Sequence, residues 1–308
     1  MHSPSEPLHI LITGISGMLG RSLASRLASS GHKVSGIDLV PHHFDDPNIR
    51  VEAADMRDVH RLYRIVENVP PIDVVVHGGG ISGSMVMRDN PAQVADININ
   101  GTMNLLEVMR LHRIPRLVQC STIMAYGPVP MAPVQEDRPL APANVYGATK
   151  AACEALVTSY GAEFGLSAAM LRIAHVYGPT RTTYCPVRAM IAGALENSPV
   201  AIRDKPETAR QLVYADDVVR AIELAVSDRQ PGCVVANVAP GAEWSMAEVA
   251  EMIRRQVGPL SVTYGEGAAH GDYQTAALSI DRARERWGWV PEISLADGIA
   301  RFAVALKA

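Results

Sequence analysis

Along the first half of the chain, short runs rich in apolar residues alternate with longer segments of helical spacing. The runs Leu8–Thr13, Lys33–Asp38, Arg50–Ala54, Ile72–His77, Leu117–Cys120 and Ala168–Arg172 predict strands buried on both faces. Helical periodicity predicts helices near Arg21–Ser29, Val59–Glu67, Ala92–Leu111 and Tyr146–Phe164. In the third of these, Val94, Ile97, Leu105, Val108 and Met109 fall on the inner face, with room for a second apolar stripe. Strand–helix alternation implies right-handed crossovers and therefore an α/β fold with a doubly wound parallel sheet.

Past Pro179 the pattern loosens. Pro186–Leu195 and Asp216–Val226 predict helices, Val200–Ile202 a strand or turn, and Val234–Val238 a strand that rejoins the sheet. Ser245-Met-Ala-Glu248 is a capping box opening a helix to about Val257. Ser279–Trp287 and Leu295–Leu306 are the last helices. The expected organisation is a first domain over 1–178 and a smaller lobe over 179–308, with the chain returning to the sheet near 213–240.

Composition narrows the function classes. The chain has 308 residues, 48% of them hydrophobic, enough for a full core, and a net charge of −4. The charges are interspersed with no basic patch, so neither nucleic acid nor an anionic membrane is an expected partner. Cys120, Cys153, Cys185 and Cys233 are scattered, without a Cys-x-x-Cys pair, which argues against a metal site and a disulfide framework and fits a reducing cytosol. Residues Met1–Pro7 lack a basic-then-apolar leader, and no apolar run approaches the ~20 residues of a membrane helix. A cytoplasmic protein is the expectation.

The strand at Leu8–Thr13 runs straight into Gly14, Gly17 and Gly20, with Ser16, Met18 and Leu19 between them, and a helix follows. Glycines let backbone approach a pyrophosphate, and the helix N-terminus favours its charge, so this is a dinucleotide cradle. Asp38 ends the second strand, where an acid bonds the adenosine ribose hydroxyls and repels a 2′-phosphate, predicting NAD over NADP. Asp55, with Met56 after it, is placed to bind the adenine amino group or to cap the next helix. Gly78, Gly79 and Gly80 end the fourth strand and let backbone lie against the cofactor; His77 before them reads as a satisfied buried histidine.

Tyr146-Gly-Ala-Thr-Lys150 opens a helix, and its spacing puts Tyr146 and Lys150 on one face. A phenol titrates near 10 and is a poor base at neutral pH. A nearby ammonium and a nicotinamide cation favour its ionised form, so the pair can take a proton from an alcohol while hydride leaves the carbon. Cys120-Ser-Thr122 ends a buried strand at the same sheet edge; Thr122 can bond the reacting oxygen, and Ser121 is expected to make a local backbone bond.

These motifs in this order resemble an extended short-chain dehydrogenase/reductase of the NAD-dependent epimerase/dehydratase family. Matching pieces are Thr13–Gly20, Asp38, Asp55–Asp58, Asn98–Thr102, Ser121–Gly127, Tyr146–Lys150, Leu171–Pro179, Arg210–Asp217 and Trp287–Pro291. The resemblance implies a Rossmann domain with a small C-terminal substrate-binding lobe, NAD as cofactor, and Thr122, Tyr146 and Lys150 as the catalytic triad. It places Asn98 and Cys120 beside the cofactor and the carboxamide against the backbone of Ile173 and Ala174. It also implies a homodimer through the helices near 92–111 and 146–164.

The sequence departs from the family in three places. His77-Gly-Gly-Gly80 replaces His-x-Ala-Ala and is followed by Ser82 and Ser84, which add hydroxyls beside the nicotinamide. His175 stands where nucleotide-sugar members carry Asn, and Ala269-His-Gly-Asp272 lacks the usual Arg, so two diphosphate contacts are altered. Arg181, Arg188 and Arg210 remain as candidate cations for a carboxylate or phosphate. A dehydratase of this family has an acid after the catalytic Thr; here Ile123 and Met124 follow. The expected function is NAD-dependent oxidation, or oxidation and re-reduction, of a secondary hydroxyl on a small sugar or sugar acid. The alternatives are a UDP-sugar 4-epimerase and, from another class, a non-catalytic NAD(H)-binding regulator, which would not need an intact triad.

Overall fold

A computed structural model describes residues 6–267 and 273–307. The first half alternates β1 (His9–Thr13), α1 (Met18–Ser29), β2 (Lys33–Asp38), β3 (Ile49–Ala53), α2 (Val59–Glu67), β4 (Val74–His77), α3 (Pro91–Ala95), α4 (Gly101–Leu111), β5 (Arg116–Thr122), α5 (Val145–Phe164) and β6 (Ser167–Ile173). Then follow β7 (His175–Tyr177), α6 (Pro186–Glu196), β8 (Val200–Ile202), β9 (Ala209–Arg210), β10 (Leu212–Tyr214), α7 (Ala215–Ser227), β11 (Cys233–Val238), β12 (Trp244–Ser245), α8 (Met246–Gln256), β13 (Val262–Tyr264), α9 (Asp281–Trp287) and α10 (Leu295–Lys307).

Seven parallel strands form the central sheet in the order β11-β6-β5-β4-β1-β2-β3. Both faces are covered, which is why the inner strands are largely apolar, whereas the edge strand β3, expected to be buried on both faces, alternates Ile49, Val51 and Ala53 with Arg50 and Glu52 and is half exposed. On one face Leu62 and Ile65 of α2, Leu105 and Val108 of α4 and Val157 of α5 pack on Leu11, Val75 and Leu117. On the other, Leu23 and Leu27 of α1 and Val218 and Ile222 of α7 pack on Ile10, Ile12 and Val118. A further cluster joins α6, α8 and α10 through Met190, Val249, Ile253, Ile299 and Phe302. Asp217 ties this lobe to the sheet: its carboxylate accepts the amides of Glu292 and Ile293 at 2.9 and 3.0 Å.

The structure changes two features of the sequence reading. The single helix expected over Ala92–Leu111 is interrupted by a π-helical turn at Asp96–Asn100. The extra residue in that turn rolls Asn98 into the interior and leaves Ile97 at the wall of a cleft instead of in the core. The short strands β7, β9, β10, β12 and β13 were not expected. They are two or three residues long and exist through pairing with distant partners, β7 with β10, β9 with β12 and β8 with β13, so their own periodicity carries little signal.

The capping box at the start of α8 closes reciprocally: Ser245 Oγ accepts the Glu248 amide at 3.2 Å, and Glu248 Oε2 accepts the Ser245 amide at 2.7 Å. Ser245→Ala should therefore lower stability by about 1 kcal/mol, read as a reduced urea midpoint, with cofactor binding unchanged because α8 lies in the other lobe.

Candidate active site

The cleft runs along the C-terminal ends of the central strands and encloses about 760 Å³. Its floor begins where β1 ends. Gly14 has φ +73°, and a Cβ there would lie 2.8 Å from the backbone of Gly78 and Gly79. A Cβ at Gly20 would lie 2.3 Å from the Gly14 carbonyl oxygen, so α1 also packs directly on the turn. Gly17 caps α1 without a side-chain bond, and no acid occupies the first turn. The open amides and positive end of α1 thus face the cleft, which Ser16, Met18 and Leu19 also line.

Asp38 closes the cleft at the end of β2, where its carboxylate accepts the amides of Ser16 (3.0 Å) and Val40 (3.3 Å). Asp55 and Met56 line the same wall. Asp55 pairs with Arg57 at 2.6 Å, which holds its carboxyl below the usual range. Asp58, not Asp55, caps α2, accepting the Arg61 amide at 2.9 Å. Leu39, Val40 and His42 add to the rim, and Arg21 lies in the cleft wall; none of these four was picked from the sequence. Arg21 Nε is shielded from solvent without a hydrogen-bond partner among the described residues. An orphaned guanidinium donor beside open helix amides fits a bound pyrophosphate. A cation in the first turn of a helix, where the dipole favours acids, is the signal that could have found it.

Beyond β4 a buried chain of hydrogen bonds fixes the glycine turn. The Gly79 amide donates to Thr13 Oγ1 (3.1 Å), Thr13 Oγ1 lies 2.6 Å from His77 Nδ1, and His77 Nε2 lies 3.0 Å from Thr102 Oγ1. Thr102 donates onward to the Asn98 carbonyl at 2.6 Å. Burial, with the Lys150 charge adding to it, pushes His77 down to about 3, so it stays neutral and structural. Gly78, Gly79 and Gly80 line the cleft, but Asn98 does not. The π turn buries it, and from there its side chain bonds the Ile81 amide (2.8 Å), the Ile81 carbonyl (3.2 Å) and Thr149 Oγ1 (2.9 Å). Asn98 therefore shapes the Gly80–Ile81 wall rather than forming part of it.

Thr122, Tyr146 and Lys150 all face the cleft, and each is buried. Asn144 caps α5 by accepting the Gly147 amide at 2.7 Å. The first turn of α5 abuts the short 3-10 turn after Thr122: a Cβ on Gly147 would lie 2.3 Å from the Met124 carbonyl oxygen. That approach brings Tyr146 to the strand end that carries Thr122. Lys150 Nζ donates to the Cys120 carbonyl at 3.1 Å, and Thr122 Oγ1 accepts the Met124 amide at 3.2 Å, leaving its hydroxyl proton for a ligand. Cys120 also lines the cleft, and burial pushes its thiol up to about 11. Ile173 and Ala174 complete this wall; the Ala174 amide is already given to Val238, 2.9 Å away. Ser121 makes no local backbone bond. Its hydroxyl reaches Glu154 of α5, 33 residues on, because strand and helix pack face to face there.

A second cavity of about 390 Å³ opens from the first and shares Ser82, His175 and Arg181 with it. Ser84 and Arg210 line the second cavity alone. Arg210 pairs with Asp204 and lies 3.0 Å from His175 Nε2 through Nη1. Arg188 lines neither: it donates to the Pro179 carbonyl at 2.8 Å and stacks on Phe302. Arg203 is a cation missed in the sequence; it lines the second cavity and stacks on Tyr184 with 4.8 Å between guanidinium and ring centre. It follows β8, whose place is set by β13, so nothing near it in sequence announces it. Ala269–Asp272 lie outside the described residues. Among those residues no group of three His, Cys, Asp or Glu side chains is arranged to hold a metal ion, and no helix is long and apolar enough to cross a membrane.

Comparison with known proteins gives the family and the fold. Residues 10–239 match the family described as NAD dependent epimerase/dehydratase. A UDP-glucose 4-epimerase of Mycolicibacterium smegmatis is 30% identical over 306 residues, covering 96% of this chain and 97% of the relative. The structure of MoeE5 in complex with UDP-glucuronic acid and NAD is 27% identical, with a TM-score of 0.88 over 97% of this chain and 99% of that one. The Thermus thermophilus UDP-glucose 4-epimerase, in complex with NAD, is 25% identical, with a TM-score of 0.88 over 98% of this chain and 99% of that one.

Two binding predictions follow from the cleft walls. NAD should bind more tightly than NADP in calorimetric titrations, since a 2′-phosphate would meet the Asp38 carboxylate. Asp38→Ala should narrow that gap and weaken NAD roughly tenfold or more, the worth of charge-assisted bonds of about 1.5–3 kcal/mol. Arg21→Gln should weaken NAD by about tenfold at low salt, with the loss shrinking as salt screens the pyrophosphate.

Proposed function

The chain belongs to the NAD dependent epimerase/dehydratase family, and from that footing we propose that it is an enzyme that inverts a UDP-sugar at C4, using NAD. The observation that carries this reading is the pair of adjoining cavities. The first has the glycine cradle and Asp38 for a dinucleotide together with Thr122, Tyr146 and Lys150; the second, entered past His175, is lined by Arg181, Arg203 and Arg210. A small sugar acid needs one cationic contact. Arg181 and Arg203, beside the Arg210–Asp204 ion pair, spread positive charge over about 390 Å³ and suit a longer anionic ligand. Arg203 and Arg181 offset the diphosphate contacts altered at His175. Relatives named as UDP-glucose 4-epimerases, similar over nearly the full chain, favour the same reading. Oxidation of a free sugar or sugar acid gives way to it, and an intact triad in one cleft argues against a non-catalytic regulator.

In the bound complex NAD would supply reversible hydride exchange at the sugar carbon. The protein supplies the rest. Tyr146 is placed to take the proton of the C4 hydroxyl and return it, and the Thr122 hydroxyl, its oxygen engaged by the Met124 amide, donates to the same oxygen. Lys150, anchored on the Cys120 carbonyl, holds its ammonium one helical turn from Tyr146 on the same face of α5. Exposed Met103 and Leu111 on α4 and Val145 and Phe164 on α5 support pairing of two copies through these helices as a homodimer.

Incubation with UDP-glucose should yield a UDP-glucose/UDP-galactose mixture by NMR, without net NADH. NADH released from free sugars or sugar acids, with UDP-sugars inert, would instead return the reading to a dehydrogenase. Tyr146→Phe should keep NAD affinity and slow turnover by about 10²–10⁴-fold.

A further inference from the structure

One layer beneath the reacting groups, a serine, a carboxylate and a guanidinium meet inside the protein. Ser121 Oγ donates to Glu154 Oε1. Arg172 spans the same carboxylate, with Nη2 at 2.7 Å from Oε2 and Nε at 3.1 Å from both oxygens. Its remaining Nη1 donates to the Glu136 carbonyl at 2.9 Å, and its face covers the Tyr126 ring at 4.6 Å. All three residues are buried, each at most 5% exposed.

Each member is tied through its own strand or helix to a residue in the cleft wall, and Ser121 borders the cleft itself. Ser121 precedes Thr122 on β5, and Arg172 precedes Ile173 on β6; the strands pair Ser121 with Arg172 and Thr122 with Ile173. Glu154 lies one helical turn beyond Lys150 on the same face of α5. We infer that Ser121, Glu154 and Arg172 form a positioning clamp that sets Thr122 against Tyr146 and Lys150. The inference rests on these three doing the chemistry.

A buried ion pair tolerates little displacement, because any slip strips a desolvated charge of its partner. Arg172 locks β6 to α5 in this way. The Glu154 charge is already met by Arg172, so the Ser121 bond is not needed to neutralise it. What that bond adds is a tie from the carboxylate to the end of β5, next to Thr122. Displacements of about 1 Å at such a site cost up to roughly a hundredfold in rate.

Ser121→Ala removes the tie and keeps the ion pair, which makes it a cleaner test than any change at Glu154 or Arg172. Expected are a fall in kcat of about ten- to a hundredfold, unchanged KM and NAD affinity, a modestly lower Tm from the lost buried bond, and recovery of most of the kcat and Tm loss in Ser121→Thr. Hydrogen exchange should quicken at amides 120–124 and stay as before in β1 and β2. Wild-type kcat and exchange in Ser121→Ala would overturn the clamp. So would a parallel fall in kcat and Tm that Ser121→Thr does not rescue. A selective loss of NAD affinity would overturn it too, since Ser121 borders the cleft and would then be a cofactor contact. Should the wild-type protein leave UDP-sugars unchanged, the proposed function fails, and the exchange at 120–124 still decides the clamp.

Discussion

Two backbone turns touch where Gly14 meets Gly78 and Gly79, and the rest of the site depends on that contact. A side-chain carbon at Gly14 would sit 2.8 Å from the opposing backbone, well inside van der Waals distance. The contact brings the end of β1 and the end of β4 into one floor, and α1 then points its unbonded amides along that floor. The buried relay from the Gly79 amide through Thr13, His77 and Thr102 holds the second turn in place. A neutral histidine suits this post: it offers one donor and one acceptor, and a charged one would stand desolvated near Lys150.

The reacting side of the cleft repeats the device. Gly147 lets the start of α5 lie on the Met124 carbonyl, as Gly14 lets one turn lie on another. Polar bonds then trim the geometry: Lys150 on the Cys120 carbonyl, Thr149 on the Tyr146 carbonyl at 2.8 Å, and Asn98 between Thr149 and Ile81. A parallel sheet places all its strand ends on one edge, so a floor for a dinucleotide and a wall for proton transfer arise on the same side. The second lobe adds the arginine-lined cavity against that edge, held by Asp217 and by strands of two or three residues.

The sequence by itself determined whatever is local in the chain. The strand–glycine–helix passage, the acid at the end of β2, the four-residue spacing of Tyr146 and Lys150 and the Ser245 capping box all work through neighbours within a turn or two, so their physics is written in consecutive residues. The alternation of strands and helices likewise required the parallel sheet. Tertiary structure alone decided what depends on pairs far apart. It turned Asn98 inward through the π turn, set Ser121 on Glu154 instead of its own backbone, spent Arg188 on a carbonyl, and brought Arg203 to the cavity it shares with His175 through the pairing of β8 with β13. Each of these outcomes is a contest between partners of similar chemistry, and only the packing of distant segments selects which partner is within reach.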